Sequence, residues 1–111
     1  MNATADITYK FINTRNELED FVGTIKNEKA VGVDLEADSM YHFKEKVCLI
    51  QMAAPKINVL IDPLAVKDLS LLKPIFKRRD ICKIFHGADY DVRSLYRDFR
   101  ITIDNLFDSC S

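Results

Sequence analysis

The chain has almost no net charge: 16 Lys and Arg against 17 Asp and Glu leave −1. Bulk charge therefore gives no sign of a nucleic-acid binder, and any basic surface must be local. It also lacks an apolar run long enough to span a bilayer. The opening "MNATADITYK" is polar and has no apolar signal segment, so a cytoplasmic protein without a membrane partner is expected. The three cysteines, Cys48, Cys82 and Cys110, form no pair with metal-ligand spacing, and their odd number argues against a disulfide framework. Cys48 and Cys82 lie inside apolar runs and are expected to be reduced core thiols. No repeat, low-complexity tract or linker is visible. What remains is 111 residues, 48% hydrophobic and 30% charged, which fits one folded domain with a modest core.

The order of elements follows from periodicity. "ITYKFI" (7–12) reads as a short strand. Thr14 and Glu17 have capping-box spacing, and Leu18, Phe21, Val22 and Ile25 give the helix after them an apolar stripe. "AVGVDLEA" (30–37), "KVCLIQMAA" (46–54) and "INVLID" (57–62) read as strands, the last two joined tightly through Pro55 and Lys56 as an antiparallel hairpin. A helix is expected over 67–79, with Pro74 liable to kink or split it. "ICKIFHG" (81–87) is a further strand, 88–99 a second capped helix, and 103–108 a last strand. The alternation implies an α/β sheet, part antiparallel and part parallel.

The chemistry sits in "VGVDLEADSM" (31–40). On a strand, Val31, Val33, Leu35 and Ala37 share one face, and Gly32, Asp34 and Glu36 the other. Two carboxylates on one face of a buried strand repel and lose hydration, which costs several kcal/mol per ion unless something compensates. A hard divalent cation does so; an edge strand with both acids solvated is the alternative. In "HGADYDVRSLYRDF" (86–99), Ala88, Asp91, Val92, Leu95 and Phe99 form one helical stripe, while Asp89, Arg93 and Arg97 form a solvated one. Asp91 thus faces inward from the first turn, where the helix dipole alone would also favour an acid. Three inward carboxylates suit phosphoryl transfer with two cations, one acidifying a water and one stabilising the leaving oxygen, with the first aspartate as the natural bridge.

Together, "VGVDLEADSMYHFKEKVCLIQMA" and "IFHGADYDVRSLY" resemble the DEDD superfamily of 3′–5′ exonucleases, ribonuclease D branch. The "FDS" at 107–109 is similar to a segment that follows in that family. The resemblance implies a ribonuclease-H-like fold, a mixed five-stranded sheet flanked by helices, with the C-terminal helices missing from this chain. It implies catalytic, metal-ligating roles for Asp34, Glu36 and Asp91 toward two divalent ions, Mg²⁺ or Mn²⁺. It implies that Ser39 and Met40 occupy the loop that touches the terminal nucleotide, and that Tyr41, His42 and Phe43 extend that loop as substrate-binding residues able to stack on bases. His86 and Tyr90 would meet the substrate strand, a single-stranded RNA or DNA 3′ end, and Gln51 would be structural. The family's fourth acid, four residues after a tyrosine on a later helix, has no counterpart before the chain ends at "DNLFDSCS". The expectation is the N-terminal part of one exonuclease domain, residues 1–111, with its site incomplete. Two other readings compete. One is a non-catalytic nucleic-acid- or protein-binding module of the same fold. The other is a haloacid-dehalogenase-type phosphatase, which needs an aspartate where Glu36 stands.

Overall fold

The computed structural model describes residues 8–38 and 45–109. In chain order the elements are β1 (Tyr9–Ile12), α1 (Arg15–Ile25), β2 (Ala30–Asp38), β3 (Lys46–Ala54), β4 (Ile57–Ile61), a 3₁₀ turn (Ser70–Leu72), α2 (Lys73–Lys77), β5 (Cys82–Phe85), α3 (Ala88–Phe99) and β6 (Leu106–Asp108). The six strands form one sheet in the order β1-β4-β3-β2-β5-β6. The β2–β3 and β3–β4 pairs are antiparallel, whereas β1–β4, β2–β5 and β5–β6 are parallel. The five-strand expectation is corrected to six: the short opening strand runs parallel to β4 and extends the sheet at its edge. Local periodicity marks such a segment as extended but cannot name its partner, which lies beyond a helix and two further strands.

Side-chain alternation decides which face is covered. Val31 and Val33 on β2, Ile50 and Met52 on β3, and Val59 and Ile61 on β4 are all at most 5% exposed. They join Leu18, Phe21 and Ile25 of α1, Ile75 and Phe76 of α2, and Ala88 and Leu95 of α3 in one continuous core. The helices therefore cover this face of the sheet. The opposite face carries Gly32, Asp34 and Glu36 on β2, with Ile84 and Phe107 exposed on β5 and β6.

Local signals account for the helix bounds. Thr14 and Glu17 make the reciprocal capping box, with Thr14 Oγ1 accepting from the Glu17 amide at 3.2 Å and Glu17 accepting from the Thr14 amide at 3.1 Å. The helix expected over 67–79 is shorter: a 3₁₀ turn and then only Lys73–Lys77, with Pro74 in its first turn, where a missing N–H costs nothing. The last strand likewise keeps only Leu106–Asp108 of the expected 103–108. Cys48 and Cys82 are free thiols but half-buried, and neither is part of the core; Cys110 lies outside the described residues. No helix among the described residues is long and apolar enough to cross a membrane.

One polar residue is fully inside. Lys83 on β5 is 0% exposed, and its ammonium donates to the carbonyls of Arg78 and Ile81, both at 2.6 Å. Burial lowers its pKa, since desolvation disfavours the charged form. The two carbonyls keep the buried donors paired and tie the segment after α2 to the strand that leads into the site.

Candidate active site

Asp34 and Glu36 project from the open face of β2, opposite Gln51 and Leu49 of β3. A register shift between Glu36 and Ala37 bends the strand just beyond the pair. Both acids are exposed, so the buried-strand reading is half right. The strand is covered on its valine face, while its acid face is open to solvent. Asp34 Oδ1 accepts from the Leu35 amide at 3.1 Å.

Asp91 sits in the first turn of α3 and is 7% exposed, in a stripe with Ala88, Ser94 and Leu95. The outward stripe expected of Asp89, Arg93 and Arg97 is present, and Asp89 pairs with Arg93 at 3.0 Å. Arg97 instead pairs with both oxygens of Asp98, one of which also accepts the Val47 amide at 2.7 Å and ties the end of α3 to β3. Burial, and after it the charges of Asp34 and Asp108, push the Asp91 carboxyl up to about 6. This rise runs against the helix N-terminus, which favours the charged form by ~0.3–1 kcal/mol. Repulsion and desolvation therefore win over the dipole, which the dipole-only account of Asp91 does not anticipate.

The remaining expected residues divide. His86, at the end of β5, lines an open cleft of about 250 Å³ together with Asp34, Gln51, Ile84 and Ser109. Its Nδ1 lies 3.2 Å from Ser109 Oγ. Tyr90 is 41% exposed on α3 and donates its hydroxyl to Glu45, which raises the phenol pKa because the neutral form is the donor. Gln51 lines the same cleft, and its amide donates to Tyr9 Oη at 3.1 Å. Ser39, Met40 and Tyr41, with His42 and Phe43, lie outside the described residues. Asp34 and Asp91 are thus within electrostatic reach of each other, with Glu36 two residues along the same face. Among the described residues, no three His, Cys, Asp or Glu side chains stand close enough to hold a metal ion as they are.

A family model described as a 3′–5′ exonuclease matches residues 9–111. The chain belongs to the 3′–5′ exonuclease family. Protein RRP6-like 3 of Arabidopsis thaliana is 37% identical over 103 residues, which is 92% of this chain and 12% of that protein. Ribonuclease D of Bartonella henselae is 35% identical over 103 residues, covering 90% of this chain and 25% of that one. The catalytic core of RRP6 from Trypanosoma brucei superposes with a TM-score of 0.91 at 35% identity, covering 97% of this chain and 30% of that core. The chain therefore spans a minor part of the length of each relative. Its mixed sheet with helices packed on it is the ribonuclease-H-like architecture of the family's RRP6 and ribonuclease D cores.

Reading the residues in order misses what holds the turn between β5 and α3. α3 has no side-chain cap of its own. Its first amides are taken by Asp108 of β6, a partner twenty residues downstream. Only the "FDS" resemblance flags that segment, and it assigns no role.

The raised Asp91 pKa has a signed consequence for the metal-free protein. Below about pH 4 both folded and unfolded states hold the proton, and Asp91 carries no penalty. Between about 4 and 6 the unfolded chain releases it while the native state keeps it, so this group's contribution to stability falls as pH rises, and the full penalty stands above about 6. Asp91→Asn should therefore gain about 1–3 kcal/mol relative to the native sequence between pH 4 and 6.5, read as the difference between their urea-unfolding free energies. A difference that stays flat across that range contradicts the assignment.

Proposed function

We propose that this chain serves metal-dependent hydrolysis of RNA from its 3′ end, releasing nucleoside monophosphates. The observation that carries the reading is the approach of a buried carboxylate, Asp91, to the strand acid Asp34 in a chain of the 3′–5′ exonuclease family. RNA is preferred over DNA because one of the relatives is a ribonuclease D and another is the exosome complex exonuclease RRP6 of Saccharomyces cerevisiae.

The donor set fits a hard divalent cation. Asp34, Glu36 and Asp91 offer only carboxylate oxygens, and the burial and, after it, the repulsion that raise the Asp91 pKa are both offset by a bound cation. Asp34, Glu36 and Asp91 would hold Mg²⁺ or Mn²⁺, two ions in a complete family site. Bound there, the ions would supply an acidified water as nucleophile and charge for the departing oxygen. The chain's own residues do the rest. Asp34 Oδ1 accepts the Leu35 amide, and its carboxylate has a second oxygen with which to ligate. His86, with Nδ1 on Ser109, offers Nε2 to the substrate strand. The exposed Tyr90 ring offers a stacking surface, a contact worth ~1–3 kcal/mol per base. Ser39 and Met40, in the segment that follows β2, would meet the terminal nucleotide, and Tyr41, next in sequence, would stack on a base.

Two measurements test this reading. In the absence of metal, Asp34→Asn should be as stable as the native sequence or more so, because it removes one of the repelling charges. Millimolar Mn²⁺ should raise the Tm of the native sequence and do much less for the variant. Equal stabilisation of both places the cation elsewhere.

The second measurement is activity. Positioning and charge stabilisation supply most of the rate enhancement in phosphoryl transfer. Without the family's tyrosine and fourth acid, residues 1–111 should trim a 3′-ended oligonucleotide orders of magnitude more slowly than a form extended by a downstream Tyr-x-x-x-Asp. The extended form should release single nucleotides, prefer RNA and stop with chelator or with Asp34→Asn. Inertness of both forms would favour the binding-module reading.

A further inference from the structure

Asp108 ends β6, beside β5, and its carboxylate reaches across to the turn before α3. One oxygen accepts the Gly87 amide at 2.9 Å and the other the Ala88 amide at 2.9 Å. Gly87 is the N-cap of α3 and lies in the left-handed region at φ 80°, with no side chain to cap the helix. A carboxylate from a different strand thus satisfies amides that the helix start leaves open. Ser109 pins the same turn beside it. Its amide donates to the Phe85 carbonyl at 2.8 Å, and its hydroxyl donates to that carbonyl at 3.1 Å and lies 3.2 Å from His86 Nδ1.

Asp91 is one helical turn past this clamp, so its carboxylate moves with the first turn of α3. Since both Asp108 oxygens are committed to amides, its effect on a cation is indirect. We propose that Asp108 is a positioning residue: by closing on the Gly87 and Ala88 amides it fixes the β5–α3 turn and sets where Asp91 stands relative to Asp34. The inference rests on reading Asp34 and Asp91 as ligands of the cation.

The test is calorimetric titration of Mn²⁺ into residues 1–111, well below the Tm of every variant. The variants are the native sequence, Asp34→Asn, Asp108→Ala, Asp108→Asn and Ile61→Val. The last removes one core methylene on β4, three strands from β5, and controls for loss of stability alone. Residues that orient metal ligands typically change affinity ~10–100-fold. Asp108→Ala should therefore weaken Mn²⁺ binding by about tenfold or more. Asp108→Asn should fall between, because its amide oxygen can accept only one of the two N–H groups, and Ile61→Val should bind as the native sequence does. Without metal, amide hydrogen exchange at Gly87 and Ala88 should speed up in both Asp108 variants.

Native-like Mn²⁺ affinity in Asp108→Ala, with binding lost in Asp34→Asn, would overturn the positioning role alone. Native-like affinity in Asp34→Asn would overturn the metal reading and this inference with it. A loss shared by Ile61→Val would reduce the effect to stability and also overturn it. If Asp108→Ala does not fold, Asp108→Asn decides by the same comparison: weakened binding with faster exchange at the two amides supports the role, and native-like binding overturns it.

Discussion

Everything in this fold depends on β2 running between two neighbours of opposite direction. Its valine face must be buried, which fixes the register against β3 and β5, and a one-residue slip would turn that face to solvent. With the register fixed, Gly32, Asp34 and Glu36 have no choice of side. The parallel partner β5 ends level with the acids and turns directly into α3, so the first turn of that helix arrives beside Asp34. Burial of a hydrophobic face thus sets the position of the polar one.

The resulting site is held against its own electrostatics. Asp34, Asp91 and Asp108 share one end of the sheet, and the buried member is the one whose charge is disfavoured. The helix N-terminus offsets only part of that repulsion. Backbone amides also act on the neighbours of Asp91: Asp108 accepts the Gly87 and Ala88 N–H groups and Asp34 the Leu35 N–H. A cation bound there, as proposed, would relieve both the desolvation and the repulsion of these charges.

Much of this was legible because it is local. The Thr14–Glu17 capping box, the β3–β4 hairpin and the inward stripe of α3 are written in spacings of two to four residues, and the structure contains each of them. Lys83 was legible in principle, since alternation with Phe85 places it on the buried face, but its partners are backbone carbonyls that no sequence pattern advertises. The partner of β1, the extent of α2 and the Asp108 clamp were not legible. The first and last depend on contacts between distant segments, and Pro74, in the first turn of the five-residue α2, marks where that helix starts and not where it ends. The exposure of Asp34 and Glu36 was misread for a similar reason: apolar composition identifies a covered face, and says nothing of whether a second layer lies over the other.

The most direct test of the central claim is where a cation goes. Substoichiometric Mn²⁺ added to uniformly ¹⁵N-labelled protein broadens amide signals steeply with proximity, without requiring turnover. The account predicts that Leu35, Glu36 and the Tyr90–Val92 amides broaden first and together, and that Asp34→Asn abolishes the effect there. Broadening that appears first around the surface acids of α1, such as Glu19 and Asp20, or evenly across all exposed carboxylates, would contradict a metal site between β2 and α3.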